Sequence, residues 1–431
     1  MICRNSDTWL RKIYYRLSLT ISAPLLLIAA VVPLAQAQAQ EPAASTCVPT
    51  PGTATVTGWA GKSWVMIGAQ MTDDIAAKAP FDMRYVYLAG KLPDQGDACK
   101  SCASNCTVGG VSTARGGDWW GCWQSTQLPP GAYVRDLISA ANARGQIPFF
   151  TYYIFLQASG ATEGTKEISK ANDATFMKRY YNDFRFFLNQ IGPNNKAIIH
   201  VEPDFWGYAR QYNSSTPANI NAAVATANIP DCGTAPNILP NTLAGMGQCL
   251  IAMAHKYAAN ARISLHASPW NISLNKSSSY NIEGDAQATA NFLNAAGGGD
   301  LVITDLADRD ADYYRIVLRQ NEWWDATNKT LPNFSQYLRW VTALTAAMQK
   351  PGLLWQVPLG NSKQTNKNLH WKDNRLEYFF GHMSEVALAN VVGIAYGAGQ
   401  DQQTSPSTDG GLLVSQTNAY VNGGGTPACT Q

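Results

Sequence analysis

The sequence predicts an α/β fold, a single-domain (β/α)8 barrel of the TIM type, because short apolar runs alternate with longer amphipathic stretches eight times. Each run has the length of a buried strand and is rich in β-branched or aromatic residues. In the stretch 172–191, apolar residues recur at the spacing of a helix that packs on a sheet. An open doubly wound sheet is the alternative, but no predicted strand leads into the glycine-rich phosphate loop of its nucleotide-binding forms. The eight predicted strands are 63–68, 83–88, 147–153, 197–202, 262–267, 301–305, 353–357 and 391–396.

Residues 1–39 are predicted to be a signal peptide, because basic residues precede the mostly apolar stretch 17–34 and small residues alternate with Gln over 35–39. A membrane anchor is the alternative, which the proline and the Ala/Gln-rich end of the stretch disfavour. The mature chain is therefore expected to be secreted or periplasmic. Residues 40–62, rich in Pro, Thr, Gly and Ala, are predicted to be a lead-in to the barrel at 63–431.

The charge balance argues against two classes of partner. The chain of 431 residues carries a net charge of +2, and the predicted signal peptide holds four basic residues and one acidic residue, so the mature chain carries about −1. A near-neutral chain has no electrostatic reason to bind nucleic acid or an anionic membrane. No later segment has 18 consecutive apolar residues, so we expect a soluble mature chain, most simply a monomer, whose partner is an uncharged or weakly charged polymer.

The cysteines predict disulfide bonds. Cys3 lies in the predicted signal peptide, which leaves an even number, eight, in an exported chain. Cys232 and Cys249 are predicted to pair across a short loop, and Cys47 and Cys429 to join the two ends. A metal knot is the alternative for the remaining four, which the oxidising compartment disfavours. These four follow the second predicted strand, in or near the loop to the second helix, which is expected to be disulfide-bonded: Cys99, Cys102, Cys106 and Cys122.

Carboxyl groups gather where the fourth and sixth predicted strands end. Working residues in barrels of this type come from the carboxyl ends of the strands. His200 and Glu202 share one face of the fourth strand by alternation, so both are predicted to point into the barrel mouth, with Asp204 just beyond. Asp305 and Asp308 end the sixth strand, on what we expect to be the opposite side of the mouth, although N-capping of the next helix is an alternative role for Asp308.

This pairing suits hydrolysis of a glycosidic bond, in which one carboxyl group protonates the leaving oxygen and a second acts as base or nucleophile. Glu202 or Asp204 is the predicted acid, and Asp305 or Asp308 the predicted base or nucleophile.

Aromatic residues are frequent, with 13 Trp and 19 Tyr. Aromatic faces stack on the apolar faces of sugar rings, and neutral amides bond to sugar hydroxyls. A cluster of Trp in a glycine-rich loop after the second strand is therefore predicted to face substrate rather than the core. The predicted substrate-binding residues, taken from strand ends and the loops that follow, are Trp119, Trp120, Trp123, Tyr152, His200, Trp206, His266, Trp270, Trp355, Gln356 and Tyr396.

The segment from Val201 to Asp204, Val-Glu-Pro-Asp, resembles a motif of the retaining barrel glycoside hydrolases, which carry an acid/base Glu before Pro at the end of the fourth strand. That resemblance implies Glu202 as acid/base. The nucleophile of those enzymes is a Glu at the end of the seventh strand. This sequence has Gln356 there, so it departs from their pattern at the nucleophile.

The same segment is similar to a Glu-Pro-Asp motif of glycoside hydrolase family 6, the inverting cellulases, whose Asp is the general acid. That resemblance implies Asp204 as the acid. The segment from Asp305 to Asp310, Asp-Leu-Ala-Asp-Arg-Asp, and the pattern Trp-x-x-Pro-x-Gly-x-Ser over 355–362 are similar to two further segments of that family. The family has its Asp-Arg-Asp segment before Glu-Pro-Asp, whereas here it follows, and its barrel is described as incomplete.

The leading hypothesis is an exported, inverting, endo-acting glycoside hydrolase, which cleaves internal bonds of a polysaccharide and needs no metal or cofactor. The first alternative is a metal-dependent hydrolase or deacetylase, in which His200, His266 and the pair Asp305 and Asp308 would be the ligands. The second alternative is a barrel that binds sugar without catalysis. A serine nucleophile has no support, because the chain contains no Gly-x-Ser-x-Gly motif.

Overall fold

Eight parallel strands close into a barrel in the computed structural model of the protein. The structure describes residues 50–93, 102, 105–108, 111–114, 119–123, 129–212, 216–269 and 277–429. Every strand pairs in parallel with its neighbours, in the closed order β1-β8-β7-β6-β5-β4-β3-β2. The predicted barrel is confirmed. The strands are β1 Met66–Gln70, β2 Met83–Ala89, β3 Ile147–Tyr153, β4 Ile198–Val201, β5 Arg262–Ala267, β6 Val302–Thr304, β7 Gly352–Val357 and β8 Val391–Tyr396.

Helices follow the strands and surround the barrel. The long loop after β2 also contains an antiparallel hairpin, Asn105–Val108 with Val111–Ala114. The helices of the described residues are α1 Thr53–Ala60, α2 Asp73–Ala76, α3 Ala132–Asn142, α4 Phe155–Ser159, α5 Thr165–Lys170, α6 Ala174–Ile191, α7 Pro203–Tyr212, α8 Leu243–Tyr257, α9 Ile282–Ala295, α10 Ala311–Tyr313, α11 Phe334–Met348, α12 Arg375–Gly381, α13 Met383–Leu388 and α14 Leu412–Asn422. None of the helices in this part of the chain has the length and apolarity needed to span a membrane.

The larger core lies between the strands and the helices. Helix α6 shows how the sequence builds it: Asp173 caps the helix by accepting hydrogen bonds from the backbone N–H groups of Thr175 and Phe176, each at 3.0 Å. The apolar stripe predicted for this stretch is buried against the outer face of the barrel. It comprises Phe176, Tyr180, Phe184, Phe187 and Leu188.

A second core fills the barrel itself and is lined by alternate residues of the strands, such as Met83 and Tyr85 on β2. Val56 and Ala60 of α1 belong to the same cluster. Residues 53–60 of the predicted lead-in are thus a helix that packs against the barrel interior. The sequence pattern missed this helix because β-branched and small residues give it no clear apolar stripe.

Two disulfide bonds lie within the described residues, Cys102–Cys122 and Cys232–Cys249. The predicted pairing of Cys232 with Cys249 is confirmed, and Cys102–Cys122 places a disulfide in the loop after β2. Cys429 is also disulfide-bonded. Its predicted partner Cys47 lies outside the described residues, as do residues 1–49, which include the predicted signal peptide.

Candidate active site

Asp204 lies in the first turn of α7, directly after β4. Its carboxylate accepts a hydrogen bond from the Tyr153 hydroxyl at the end of β3, at 2.9 Å. Burial raises the pKa of Asp204 to about 6, and the nearby carboxylates of Glu163 and Asp305 add to the rise, while Tyr153 and His266 oppose it. A carboxyl group of this kind is partly protonated near neutral pH, as a general acid requires.

Asp305 follows β6 and is held by the neighbouring strand. Its Oδ1 lies 3.1 Å from Nε2 of His266 on β5, and its backbone carbonyl accepts a hydrogen bond from the hydroxyl of Tyr337. The residue is 6% exposed. The strand order places only β5 between Asp204 and Asp305, so the prediction that the two strand ends lie on opposite sides of the mouth is wrong.

His200 and His266 extend this contact through the barrel interior. His200 Nε2 lies 3.0 Å from His266 Nδ1, and His200 Nδ1 lies 3.4 Å from the hydroxyl of Thr151 on β3. Trp355 of β7 packs edge-on against both imidazoles, with ring centroids 4.6 Å from His200 and 5.7 Å from His266. Both histidines are buried, so they support the mouth from below.

Tyr87 of β2 packs between Tyr153 of β3 and Trp355 of β7. Burial raises its pKa well above the ordinary value, and Tyr85 and the carboxylates of Asp204, Asp308 and Asp305 each raise it further. These carboxylates follow β4 and β6, and a third strand end, that of β7, supplies the acceptor for the Tyr87 hydroxyl. That hydroxyl donates a hydrogen bond to Oε1 of Gln356, the residue that stands in place of a seventh-strand carboxylate.

The loop after β8 closes tightly over Gln356. A Cβ atom at Gly399 would lie 2.0 Å from the Gln356 side-chain nitrogen and 2.7 Å from the backbone oxygen of Asp308. The position accommodates only glycine, because the side chain of any other residue would displace Gln356 from Tyr87.

Asp308 lies further out on the loop after β6. Arg309 and the hydroxyl of Tyr314 each bond to one of its carboxylate oxygens, and its side chain is 31% exposed. Both of its carboxylate oxygens are therefore engaged on the outer loop, one by the Arg309 guanidinium and one by the Tyr314 hydroxyl. No hydrogen bond from Asp308 to a helix N-terminus occurs among the contacts described, so the capping role is not observed.

Glu202 does not point into the mouth. Its backbone φ is +48°, and its Oε1 accepts hydrogen bonds from the backbone N–H groups of Ile154 and Phe155 and from the hydroxyl of Tyr180 on α6, at 3.0–3.1 Å. The prediction that it shares the inward face of His200 is wrong, because β4 ends at Val201 and the left-handed backbone breaks the alternation. Burial raises the pKa of Glu202 to about 8.

Sequence reasoning missed Glu167 on α5. The side chain is fully buried, and neither carboxylate oxygen has a hydrogen-bond partner. Burial raises its pKa to about 9, and the carboxylates of Glu202, Asp204 and Glu163 contribute. No pattern in the sequence marks a buried carboxyl group on a short helix. Tyr87 and Tyr153 were also absent from the predicted site, although alternation from Tyr85 and Thr151 directs both inward.

The structure places Trp119 and Trp120 in the core rather than at the mouth. Their indole N–H groups donate to the two carboxylate oxygens of Asp183 on α6, at 2.7 and 2.9 Å, and the hydroxyl of Tyr152 donates to the same carboxylate at 2.6 Å. Tyr152 therefore points outward from β3. The physical reason is a long-range one, since a buried carboxylate on a helix attracts three aromatic donors. Trp123 is half-buried and packs on Tyr133.

Two further predicted substrate-binding residues face the helix layer. Trp206 of α7 packs against Phe205 in the outer core, and Tyr396 of β8 stacks on Phe380. Trp270 lies outside the described residues. Of the predicted set, the structure brings together Asp204, Asp305, Asp308 and Gln356 at the mouth, with the buried side chains of His200, His266 and Trp355 beneath them.

The histidines do not offer a metal site. Both ring nitrogens of His200 and both of His266 face hydrogen-bond partners within the barrel, namely Thr151, each other and Asp305. Among the described residues, no three His, Cys, Asp or Glu side chains converge in a metal-binding arrangement. The ligand set considered for a metal-dependent hydrolase therefore does not fit these positions.

No family model matches the chain, and no curated protein matches it. Several solved structures are similar to it at low identity. A β-1,4-mannanase of glycoside hydrolase family 113 is 8% identical and has a TM-score of 0.43, with 84% of this chain and 99% of that chain covered. The modular endo-β-1,4-mannanase of Cellulomonas fimi is 9% identical with a TM-score of 0.47, covering 89% and 77%. The endoglucanase Cel6 of Mycobacterium tuberculosis is 14% identical with a TM-score of 0.28, covering 55% and 60%. All three scores lie below 0.5, so the barrel rests on its own strand pairing.

Proposed function

We propose that this protein is an exported glycoside hydrolase that cleaves a polysaccharide with Asp204 as general acid and Asp305 as general base. The observation that carries the proposal is the contrast between the two carboxyl groups. Asp204 is buried and its pKa is raised to about 6, whereas the carboxylate of Asp305 lies 3.1 Å from Nε2 of His266, a ring nitrogen that can hold it in place. Two titratable groups in different environments are what acid and base roles require.

The other predicted carboxylates suit these roles less well. The Glu202 carboxyl group is enclosed between β4, α4 and α6, and Asp308 is paired with Arg309 and bonded by Tyr314 on the outer loop. Two half-buried side chains at the mouth, Tyr87 and Tyr153, supply aromatic surface and hydroxyls suited to sugar rings.

An inverting mechanism is part of the proposal. A retaining enzyme needs a carboxylate nucleophile about 5–5.5 Å from the acid, and an inverting enzyme leaves about 6.5–9.5 Å for a water molecule. The seventh strand ends in Gln356, which cannot act as a nucleophile in this way. Asp305, anchored by His266, is suited to removing a proton from water. Disulfides in the described part of the chain support export, because such bonds persist in oxidising compartments.

The test is a panel of polysaccharides assayed for new reducing ends, with the anomer of the first product identified by NMR. Asp204→Asn and Asp305→Asn should each lower kcat by about 100-fold or more, as general acid–base groups contribute. Asp136→Asn is the matched control, because Asp136 is exposed on α3. A first product with the inverted anomer supports the mechanism. Unchanged turnover in both variants overturns the proposal, and binding of polysaccharide without any turnover by the wild type identifies a non-catalytic sugar-binding barrel.

A further inference from the structure

One buried carboxylate joins three of the loops that follow the carboxyl ends of the strands. Asp310, in the loop after β6, is 1% exposed. Its Oδ1 accepts a hydrogen bond from the backbone N–H of Gly360 in the loop after β7, at 2.9 Å, and its Oδ2 accepts one from Thr404 in the loop after β8, at 2.8 Å. Its own backbone N–H donates to the side chain of Gln403, at 2.9 Å. We call these four residues the loop tie.

The loop tie is closely packed. A Cβ atom at Gly360 would lie 2.7 Å from Oδ1 of Asp310 and 2.5 Å from the backbone oxygen of Trp371, so only glycine lets the backbone approach the carboxylate this closely. The backbone N–H of Trp371 donates to the hydroxyl of Thr404 at 2.9 Å, which links the loops after β7 and β8 a second time. The sequence segments 305–310 and 355–362 therefore meet at this carboxylate.

The tied loops carry one wall of the mouth. Asp308 and Arg309 directly precede Asp310, and their side chains are 31% and 20% exposed. The backbone oxygen of Asp308 and the loop after β8, at Gly399, close together over Gln356. We call Asp308, Arg309 and Gln356 the mouth wall. Its carboxylate, guanidinium and amide groups are of the kind that fix the orientation of a polar ligand in a cleft.

The proposed acid and base have partners outside the loop tie. Asp204, in the first turn of α7, accepts a hydrogen bond from Tyr153. Asp305 contacts His266 through its carboxylate and Tyr337 through its backbone carbonyl. Loosening the tie should therefore change how the substrate is held rather than how its bond is broken.

We propose that Asp310 is a positioning residue that keeps the mouth wall in the arrangement that binds the polysaccharide. This inference rests on the proposed function, in which that polysaccharide is the substrate. Contacts that hold the ground state and the transition state equally lower KM without changing kcat, so a disturbed mouth wall should raise KM and leave kcat in place.

The substitution Asp310→Asn tests the loop tie with little change in the size of the side chain. Asn has a single acceptor oxygen, and its –NH₂ group must then face the backbone N–H of either Gly360 or Thr404. One hydrogen bond is lost, and the donor that made it stays buried without an acceptor.

The matched control is Asp409→Asn. Asp409 lies in the same loop as Thr404 and is 2% exposed. Each of its carboxylate oxygens also accepts one backbone N–H, from Gly411 at 2.8 Å and from Leu413 at 2.7 Å. Both donors belong to its own segment of the chain, so this substitution removes the same kind of bond and leaves the three loops joined.

Hydrogen–deuterium exchange followed by mass spectrometry measures the tie without any substrate. In Asp310→Asn the amides of 358–373 and 398–405 should exchange about tenfold faster than in the wild type, because a lost buried hydrogen bond makes local opening easier. In Asp409→Asn the faster exchange should be confined to 409–414. Unchanged exchange in both 358–373 and 398–405 of Asp310→Asn overturns the proposal.

Steady-state kinetics on the polysaccharide that the panel identifies measures the consequence for binding. Asp310→Asn should raise KM about tenfold and change kcat by less than about twofold, and Asp409→Asn should change neither. A fall in kcat at constant KM, or the same rise of KM in both variants, overturns the proposal. Gln403→Met removes only the bond to the backbone of Asp310 and should raise KM about threefold. Where Asp310→Asn fails to fold, an unchanged KM in Gln403→Met overturns the proposal instead.

The failure of the proposed function has a different signature. A wild type that turns over no polysaccharide contradicts the glycosidase, and binding then replaces kinetics as the readout. Retardation in gels that contain the polysaccharide compares the wild type with both Asn variants. Weaker retardation of Asp310→Asn alone supports the positioning role, and equal retardation of all three proteins overturns it.

Discussion

Replacing Glu167 by Gln should make the stability of the protein less sensitive to alkaline pH. The native state holds the carboxyl group of Glu167 in its protonated form, because burial raises its pKa to about 9 from the ordinary value of 4.5. The unfolded state releases this proton at a much lower pH. Between these two values the native state binds more protons than the unfolded state, so the free energy of unfolding falls as pH rises. The contribution is complete below pH 4.5 and is lost as pH passes through 9.

The magnitude follows from the linkage relation. Each pH unit inside the window changes the free energy of unfolding by about 1.4 kcal/mol for one group. Between pH 6 and pH 8, Glu167 alone therefore costs the wild type about 3 kcal/mol. Gln has a similar shape and does not ionise, so the variant should lose this part of the slope. The free energy of unfolding of the variant should still fall with pH, though less steeply, because burial also raises the pKa of Glu202, to about 8.

Urea unfolding followed by tryptophan fluorescence at pH 6, 7 and 8 measures the effect. Glu163→Gln is the matched control, because Glu163 is an exposed carboxylate in the segment before α5 and its removal should leave most of the slope in place. Parallel pH dependences in the wild type and in Glu167→Gln would refute the reasoning. A wild-type stability that rises from pH 6 to pH 8 would refute it as well.

Three other perturbations have expected outcomes. Asp183→Ala should destabilise the protein by roughly 3–6 kcal/mol in urea unfolding, because three buried donors lose their acceptor; Asp183→Asn should cost less, and a loss below about 1 kcal/mol would contradict this account. Replacing Cys232 and Cys249 by Ala should cost about 3 kcal/mol, since the bond closes a loop with a sequence separation of 17, and unchanged unfolding midpoints would argue against it. Tyr153→Phe should shift the alkaline limb of kcat/KM upward, because the Tyr153 hydroxyl favours the ionised form of Asp204, which must be protonated to act as acid. A limb that stays in place or moves downward would exclude Asp204 as the titrating acid.

The strands were predictable from the sequence because a buried parallel strand is a short apolar run rich in β-branched or aromatic residues. Each of the eight runs corresponds to one strand of the barrel, and the first shows the largest shift, from 63–68 to Met66–Gln70. The positions of Asp204 and Asp305 followed from strand ends alone. Local sequence determines both features, since strand length and alternation depend on neighbouring residues.

Other features depended on contacts between residues far apart in the sequence. Trp119 and Trp120 form a cluster in a glycine-rich loop, and only the position of Asp183, more than 60 residues later, directs them into the core. Glu202 does not continue the alternation of β4, because Glu202 itself has a left-handed backbone directly after the last residue of the strand. A pattern of residue types cannot report either event, because both result from how the helices pack on the finished barrel.

The end of the seventh strand explains why the base should be supported from β5. Gln356 accepts a hydrogen bond from Tyr87, as a carboxylate at this position also would, but it carries no charge. The carboxyl groups around Tyr87 in the described residues then come from β4 and β6, with β5 between them. A base on β6 has His266 as its neighbour on β5, and His266 in turn has His200 on β4. The uncharged Gln356 on β7 and the contact of Asp305 with His266 therefore belong to one arrangement, in which the carboxylate follows β6 and its hydrogen-bonding neighbour lies on the adjacent strand.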